Sequence, residues 1–250
     1  MPLRIVIPSH KRWDRVLAKK LVQDPIICVA ESQEAIYHDY NPDCEIVTHP
    51  DSVVGLIPKR NWMARHFGDL FMLDDDVHVV RRQYVEHGET APIRDPVEVT
   101  NIIMRLHELS VMLDIHLWGF SSAVTPVMYS EDEYLSLSHM ITGCAYGVRY
   151  NTNIWWNEEI KLKEDFWISC YVKHKERRIL TDCRYNFAQK GTFVSSGGLA
   201  GIRNQEEERR SILFMRKNFG ECIRLKGQTN NGKGKTRQKV QYNIVAKFPF

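Results

Sequence analysis

Short apolar runs alternate with amphipathic or polar segments over the first 73 residues, and this alternation constrains the fold more than any other feature of the sequence. Strands and helices that alternate in this way build a mostly parallel sheet with right-handed crossovers and helices on its faces. We therefore expect an α/β fold. The pattern predicts strands at residues 3–7, 25–30, 45–48 and 70–73, and helices at residues 13–21 and 58–67.

The fourth apolar run ends in three successive carboxylates, Asp74, Asp75 and Asp76. Adjacent carboxylates repel one another, and because alternate side chains of an extended chain point the same way, Asp74 and Asp76 suit a shared divalent cation. Mg²⁺ or Mn²⁺ takes few protein ligands and completes its shell with phosphate oxygens and water, so a nucleotide diphosphate or triphosphate is the predicted partner. An acidic turn after a strand is the alternative.

Parallel α/β sheets bind their ligands at the carboxyl ends of the strands. That edge would carry residues 8–12 after the first strand and Glu31 after the second, together with the three acids. Neither Gly-x-Gly-x-x-Gly nor the phosphate-binding Gly-x-x-x-x-Gly-Lys follows the first strand, which counts against a dinucleotide-dependent oxidoreductase and a P-loop enzyme. We therefore expect a nucleotide-binding α/β fold that is neither of these two.

The later chain carries two further candidate site segments. Gly143 lies in a predicted extended stretch, where a glycine allows close approach of a ligand. Glu164 and Asp165 open a predicted helix, where the helix dipole alone also favours carboxylates. Other predicted elements are a helix capped by Asp95 and Pro96, strands at 118–120 and 178–183, a glycine-rich loop at 195–201, a helix at 205–218 and a mobile loop at 227–239.

The charge of the chain is distributed unevenly. Its 34 Lys and Arg exceed its 31 Asp and Glu by three, yet residues 222–250 hold seven Lys and Arg and no acid, which leaves the rest at −4. We expect one domain over residues 1–221 and a basic segment over 222–250 that packs on it or extends from it. A polyanionic partner suits this segment, and a solubilising tail is the alternative. The predicted DNA contacts are Lys233, Lys235, Arg237 and Lys239.

The sequence shows no sign of secretion or of a membrane anchor. The run at residues 3–7 is too short for a signal peptide and contains Arg4, and no apolar run has the length of a membrane span. The six cysteines are scattered without a Cys-x-x-Cys pair, so we expect reduced thiols. We expect a cytoplasmic protein, in the host cytoplasm if the source is a bacteriophage, and the oligomeric state stays open.

Taken in order, these motifs resemble those of the GT-A glycosyltransferases: residues 8–12 after the first strand, Lys59-Arg60-Asn61, the three aspartates, Gly143 and Glu164-Asp165. The resemblance implies a GT-A-like, Rossmann-type, mostly parallel sheet flanked by helices in a single domain. It also implies a nucleotide-sugar donor, bound by the first loop, the Arg-Asn helix and the acids. The donor-binding residues so implied are Pro8, Ser9, Arg12, Lys59, Arg60, Asn61, Asp74 and Asp75, and the glycine loop at Gly143 would frame the acceptor beside them. Glu31, at the end of the second strand, is a further candidate because it could accept a hydrogen bond from the uracil ring, and a solvated acid at a strand end is the alternative.

The same resemblance assigns the chemistry. It implies that Asp76 is the direct metal ligand, that Asp74 contacts the ribose or the metal, and that Asp165 is the catalytic base, with Glu164 in reserve. GT-A enzymes often supply a late histidine as another metal ligand, yet no histidine follows His174 in this sequence. Either water and the diphosphate complete the metal shell, or metal binding is weak.

A narrower resemblance concerns the acceptor. Ile-Pro-Ser-His-Lys-Arg at residues 7–12, the three aspartates and Lys163-Glu164-Asp165 resemble the Tet-associated and base J glucosyltransferases, which place a sugar on hydroxymethylated pyrimidines in DNA. This likeness covers residues 3–200 and implies metal-dependent, inverting transfer of glucose from UDP-glucose. A metal-dependent nucleotidyltransferase and a non-catalytic nucleic-acid-binding module remain the competing hypotheses.

Overall fold

A mixed sheet of ten strands crosses the part of the chain that the computed structural model describes, residues 3–85, 91–122, 129–151, 153–190, 204–225 and 244–248. The ten strands are β1 Arg4–Pro8, β2 Ile26–Ala30, β3 Glu45–His49, β4 Leu70–Leu73, β5 Val77–Arg82, β6 Ala91–Ile93, β7 Leu117–Ser121, β8 Leu135–Ser136, β9 Ala145–Val148 and β10 Leu180–Gln189. The helices are α1 Glu34–Tyr40, α2 Leu56–Phe67, α3 Pro96–Met112, α4 Glu164–Glu176 and α5 Gln205–Phe219. A separate antiparallel pair is formed by β11 Ile223–Leu225 and β12 Ile244–Ala246.

The strand order is β3-β2-β1-β4-β9-β7-β10-β5-β6, with β8 paired to β10. The first four strands are mutually parallel, so their carboxyl ends share one edge of the sheet. β9 runs antiparallel to both β4 and β7, and β10 runs parallel to β7. β10 therefore points in the same direction as β4 and ends at the same edge. The predicted α/β fold with helices flanking a central sheet is confirmed.

Both faces of the sheet are covered, which explains why its strands are apolar runs without polar alternation. In β4, Phe71 and Leu73 pack on the side of α1 and α3, whereas Leu70 and Met72 pack on the side of α2, α4 and α5. Successive strand residues point to opposite faces, so each strand contributes side chains to the hydrophobic cores on both faces of the sheet. The sheet is consequently a rigid platform between two layers of helices.

The predicted start of α3 is confirmed. The Asp95 side chain accepts a hydrogen bond from the backbone N–H of Val97 at 2.9 Å, and Pro96 occupies the first turn. The first N–H groups of a helix have no partner within the helix. Asp95 supplies an acceptor for one of them, and proline has no N–H that would need a partner. The predicted strand at residues 178–183 is longer than the pattern indicates, because β10 runs on to Gln189.

The helix predicted at residues 13–21 is wrong. This segment contains only a single 3-10 turn at Leu17–Lys20, and the backbone N–H groups of Leu17 and Ala18 donate to the carbonyl of Asp75, at 2.8 and 3.3 Å. The predicted apolar face does meet the core, because Val16 is buried and Trp13 and Leu21 pack against the core partly buried. Contact with the acidic turn replaces the helix, and α1 at Glu34–Tyr40 covers this face instead.

Parts of the carboxyl-terminal prediction lie outside the described residues: the loop at 195–201 and the four basic residues Lys233, Lys235, Arg237 and Lys239. Of the rest, Ala246 and Phe248 pack against the core on the α2, α4 and α5 side. Across the described ranges, none of the helices combines the length and the apolarity that crossing a membrane requires.

Candidate active site

The three aspartates follow β4 at the shared edge of the sheet, and the structure gives each a different role. The backbone N–H of Asp74 donates to the carbonyl of Cys144 at 2.8 Å, which ties the acidic turn to the start of β9. The carbonyl of Asp76 accepts from the backbone N–H of Lys190 at 2.9 Å, which ties it to the end of β10. The acids are therefore held in place by backbone contacts on both sides.

Asp75 faces the loop after β1 rather than the open edge. Its carboxylate accepts hydrogen bonds from the hydroxyl of Ser9 and from the guanidinium of Arg12, both at 2.6 Å. The hydroxyl of Tyr37 lies 2.7 Å from that of Ser9 and accepts from the backbone N–H of Arg12 at 3.0 Å. Charge-assisted bonds of this length fix the loop relative to the acidic turn.

Asp74 and Asp76 share one neighbour, the side-chain amide of Gln189. Its nitrogen lies 3.1 Å from an oxygen of Asp74 and 3.0 Å from an oxygen of Asp76. Burial raises the pKa of Asp74 to about 7, although the charge of Arg60 opposes the shift. Burial and the adjacent Asp75 also raise the pKa of Asp76. Burial therefore disfavours the charge of both carboxylates, although Arg60 lies beside Asp74 and Arg12 beside Asp76.

Arg60 lies behind this pair, at the centre of the acidic cluster. Its side chain is completely buried, 3.1 Å from a carboxylate oxygen of Asp74 and 3.4 Å from one of Glu164. The guanidinium also lies over the ring of Tyr146, 5.2 Å from the ring centre. Burial opposes the charge of Arg60, but Tyr146 and the two acids outweigh it and raise its pKa. The contacts of Arg60 therefore go to protein acids.

Asp165 lies in the first turn of α4 and is partly exposed. Burial first, and the repulsion of Glu164 second, raise the pKa of Asp165 to about 6, while hydrogen bonds from the backbone of Phe166 and Gly143 oppose the shift. The contact with Gly143 joins two segments that the sequence analysis singled out separately. A carboxylate with a pKa near neutrality is a suitable proton acceptor.

The residue before this helix has an unusual backbone conformation. Lys163 has a φ of 65°, in the left-handed region that a residue with a side chain rarely adopts. Its ammonium group pairs with Glu208 of α5 at 2.8 Å, and this ion pair holds the helix start against a neighbouring helix. Such backbone strain occurs preferentially at functional sites.

The other predicted donor-binding residues lie on the same edge. The ammonium group of Lys59 donates to the carbonyl of Ser9 at 2.7 Å, and burial lowers its pKa. Pro8 ends β1, and Glu31 is exposed directly after β2. Asn61 is buried and bonds with both the carbonyl and the N–H of Trp156, at 2.8 and 2.9 Å, so it positions the segment that precedes α4.

The sequence analysis missed three residues that complete this arrangement, namely Tyr37, Tyr146 and Gln189. None belongs to a recognisable motif: Tyr37 lies in a helix that was not predicted, Tyr146 in a predicted extended stretch, and Gln189 beyond the predicted strand end. The only available signal for Tyr146 is its position three residues after Gly143.

The acidic motif implies a divalent cation, and the side chains around Asp74 and Asp76 decide whether such an ion fits. Among the described residues, no group of three or more His, Cys, Asp and Glu side chains is arranged to hold a metal ion. Asp74 and Asp76 nevertheless fit Mg²⁺ or Mn²⁺, because their oxygens approach a single nitrogen atom and ions of nucleotide enzymes use one or two carboxylates plus phosphate. The residues present therefore suit an ion that arrives with a diphosphate.

Residues 3–198 match the family model of the TET-associated glycosyltransferases, which is most of the chain. No curated protein matches the chain.

Three solved structures to which the chain shows some similarity are of TarS from S. aureus. TarS 1-349 is 11% identical, with a TM-score of 0.47 over 86% of this chain and 66% of that one. The longer TarS structure is 10% identical, with a TM-score of 0.47 over 86% of this chain and 40% of that one. TarS 1-349 in complex with UDP-GlcNAc is 11% identical, with a TM-score of 0.48 over 86% and 67%. This chain spans less than two thirds of the first TarS structure.

Proposed function

The chain belongs to the TET-associated glycosyltransferase family, and from this premise we propose that it transfers glucose from UDP-glucose to the hydroxymethyl group of a modified pyrimidine in DNA. The family supports glycosyl transfer as the reaction class. The donor, the DNA acceptor, the role of a metal ion and the inverting course are parts of this proposal.

The observation that carries the proposal is the position of Asp165 relative to the acidic turn. One nitrogen of the buried Arg60 guanidinium contacts both Asp74 and Glu164, so a donor-side acid and the residue next to the proposed base meet at the same atom. Gly143 lies two residues before β9, the strand beside β4, and its backbone favours the ionised form of Asp165. A sugar donor at Asp74 and Asp76 would therefore present its anomeric carbon close to the proposed base.

In the proposed reaction Asp165 accepts the proton of the acceptor hydroxyl while the hydroxyl oxygen attacks the anomeric carbon. A new carbon–oxygen bond forms as the bond between that carbon and the diphosphate oxygen breaks, and UDP leaves with the bonding electron pair. Attack opposite the leaving group inverts the anomeric centre, so an α-linked donor gives a β-linked product. Glu164 is the reserve base, although its contact with Arg60 makes Asp165 the better candidate.

Asp74 and Asp76 would hold Mn²⁺ or Mg²⁺, whose chemistry is to neutralise the charge that develops on the leaving diphosphate. Arg12, which lies 3.6 Å from Asp76, is the nearest cationic side chain on the β1 side of the acidic turn. Asp75 positions the β1 loop and with it Arg12, so its proposed part in donor binding is indirect. Pro8, Ser9 and Lys59 would line the nucleotide side of the same edge.

The proposed DNA acceptor rests on the family and on charge. Residues 222–250 carry seven positive charges on a chain that is otherwise net negative, and a phosphate backbone is the partner that such a segment fits. A base within duplex DNA has to leave the stack to reach a catalytic carboxylate inside a protein pocket. The target base would then enter the space beside Gly143 and Asp165.

The proposal is tested by incubating the purified chain with UDP-, GDP- and ADP-sugars, with Mn²⁺ present or omitted, and with DNA that contains hydroxymethylpyrimidine. We expect UDP release and a DNA mass increase of one hexose, both dependent on Mn²⁺, with unmodified DNA as the negative acceptor. Pyrophosphate release from a nucleoside triphosphate and a sugar phosphate would favour a nucleotidyltransferase instead. DNA binding without turnover of any sugar donor would favour the non-catalytic alternative.

A further inference from the structure

The amide of Gln189 occupies the position between Asp74 and Asp76 where the proposed cation would bind. One nitrogen atom lies within hydrogen-bond distance of an oxygen from each acid, at 3.1 and 3.0 Å. Two N–H groups on a single atom that face two carboxylates resemble, in charge distribution, a small cation between the same oxygens. A cation between the two acids would therefore lie within reach of the Gln189 amide.

The fold aims Gln189 at this position. β10 ends at the same edge as β4, and the register between β10 and β5 shifts between Ala188 and Gln189, so that Gln189 pairs with Val77. A bulge of this kind turns a side chain away from the regular alternation of the strand. The next residue is anchored as well, because the backbone N–H of Lys190 donates to the carbonyl of Asp76. The sheet thus fixes the backbone from which the amide extends.

A glutamine side chain can interact with this site both without a cation and with a cation bound between the acids. Its two ends differ in chemistry: the nitrogen donates hydrogen bonds, whereas the oxygen is a hard acceptor of the kind that Mg²⁺ and Mn²⁺ bind. A half-turn about the last side-chain bond exchanges the two ends without moving the backbone. A cation between the acids would repel the N–H groups and attract the oxygen.

We propose that Gln189 contributes its carbonyl oxygen to the divalent cation held by Asp74 and Asp76, as the third side chain of that site. This inference rests on the proposed function, because it concerns the cation that accompanies the sugar donor. It also answers a question that the sequence leaves open, since no histidine follows His174 to complete the metal shell. Gln189 belongs to no motif of the acids and lies 113 residues after Asp76.

The test measures Mn²⁺ binding directly, from the decrease of the free Mn²⁺ signal in electron paramagnetic resonance, with and without UDP and without any sugar acceptor. The decisive variant is Gln189→Met, which keeps the length of the side chain but removes the amide. We expect a loss of Mn²⁺ affinity of about tenfold or more, as for other residues that complete or orient a metal shell. Gln189→Glu retains an oxygen at the same reach, so we expect its affinity to equal or exceed that of the parent.

Two controls make the result specific. Gln23→Met makes the same chemical change at an exposed residue before β2 and should bind Mn²⁺ like the parent. Gln189→Asn keeps the amide but withdraws it by one methylene, so it should lose affinity even if Gln189→Met proves too unstable to measure. Circular dichroism and thermal unfolding establish that each variant is folded.

The possible outcomes separate the inference from the proposed function. If the parent binds Mn²⁺, Asp76→Ala does not, and Gln189→Met binds as tightly as the parent or more tightly, the amide is only a neutral bridge and the inference is overturned. If the parent takes up no Mn²⁺ even with UDP, the metal-dependent part of the proposed function fails, and the inference fails with it. Loss of affinity in Gln189→Met and Gln189→Asn, with Gln23→Met unchanged, supports both.

Discussion

Replacing Asp165 by asparagine should lower turnover and raise stability at the same time. The pKa of Asp165 is raised from its ordinary value of 3.8 to about 6, chiefly because burial and the adjacent Glu164 disfavour its charge. A raised pKa means that the folded protein binds the proton more tightly than the unfolded chain does. The ionised side chain therefore destabilises the fold at the pH at which the proposed base has to be ionised.

The pKa shift of Asp165 determines how its carboxyl group changes the free energy of unfolding with pH. Below pH 3.8 the carboxyl is protonated in both states and has no effect, between 3.8 and about 6 stability falls as the pH rises, and above about 6 the full penalty is present. Each pKa unit corresponds to about 1.4 kcal/mol, so two units give an upper limit of about 3 kcal/mol at pH 8 and about half of that at pH 5. Solvent at the partly exposed side chain reduces both values.

The assay is urea unfolding of the parent and of Asp165→Asn at pH 5 and pH 8. We expect the free energy of unfolding of the variant, relative to the parent, to be about 1 kcal/mol higher at pH 8 than at pH 5. Any fixed cost of the amide, such as a poorer bond with Gly143, cancels in this difference. Asp39→Asn, an exposed substitution on α1, is the matched control and should follow the parent at both pH values.

The same variant should lose turnover by about 10²-fold to 10⁴-fold with donor binding retained, the usual contribution of a general base. The kcat/KM of the parent should fall as the pH decreases below about 6, because protonated Asp165 cannot take up the proton of the sugar acceptor's hydroxyl group. Parallel stability profiles of parent and variant between pH 5 and 8 would refute the assignment of the raised pKa. Turnover that barely changes would transfer the role of base to Glu164.

Three further substitutions test other parts of the structure. Arg60→Met leaves the buried Glu164 and the partly exposed Asp74 without their counter-charge, so we expect a loss of about 3 kcal/mol in the free energy of unfolding. The acidic limb of the kcat/KM profile should also move to higher pH, whereas Arg65→Met, at an exposed residue, should change neither stability nor the profile. Gly147→Ala places a methyl group 1.9 Å from the ring of Trp118, and unfolding should show a loss of at least about 2 kcal/mol; a parental melting temperature would contradict that close packing. Neutralising the basic segment should weaken DNA binding for all sequences and flatten its salt dependence, with hydrolysis of free UDP-sugar unchanged; glucosylation at the parental rate in moderate salt would show that the segment is not used. The residues of that last variant are Lys233, Lys235, Arg237 and Lys239.

Local sequence patterns determined the framework of this protein. Apolar runs of four to six residues predict strands, and the cap formed by Asp95 and Pro96 predicts the start of α3, because these signals depend on neighbouring residues along the chain. Strand direction then follows from the alternation with helices. The position of Asp74, Asp75 and Asp76 at the carboxyl edge was predictable for the same reason.

Local patterns also misled where a distant contact competes with them. The spacing of Trp13, Val16 and Leu21 indicates one buried face, but the nearby backbone N–H groups bond to the carbonyl of Asp75 and the segment forms no α-helix. Helical periodicity reports which residues are buried. It does not report whether the backbone finds its hydrogen bonds within the segment or across the fold.

Only the tertiary structure decided how the acids are used. It turns Asp75 toward Ser9 and Arg12. It also buries Arg60, which the family resemblance implies as a donor-binding residue, against Asp74 and Glu164. It also brings Gln189 to Asp74 across 115 residues of chain, through the order in which β9, β7 and β10 join the sheet. Side-chain partners of this kind depend on the packing of strands that are distant in sequence, and no local periodicity encodes them.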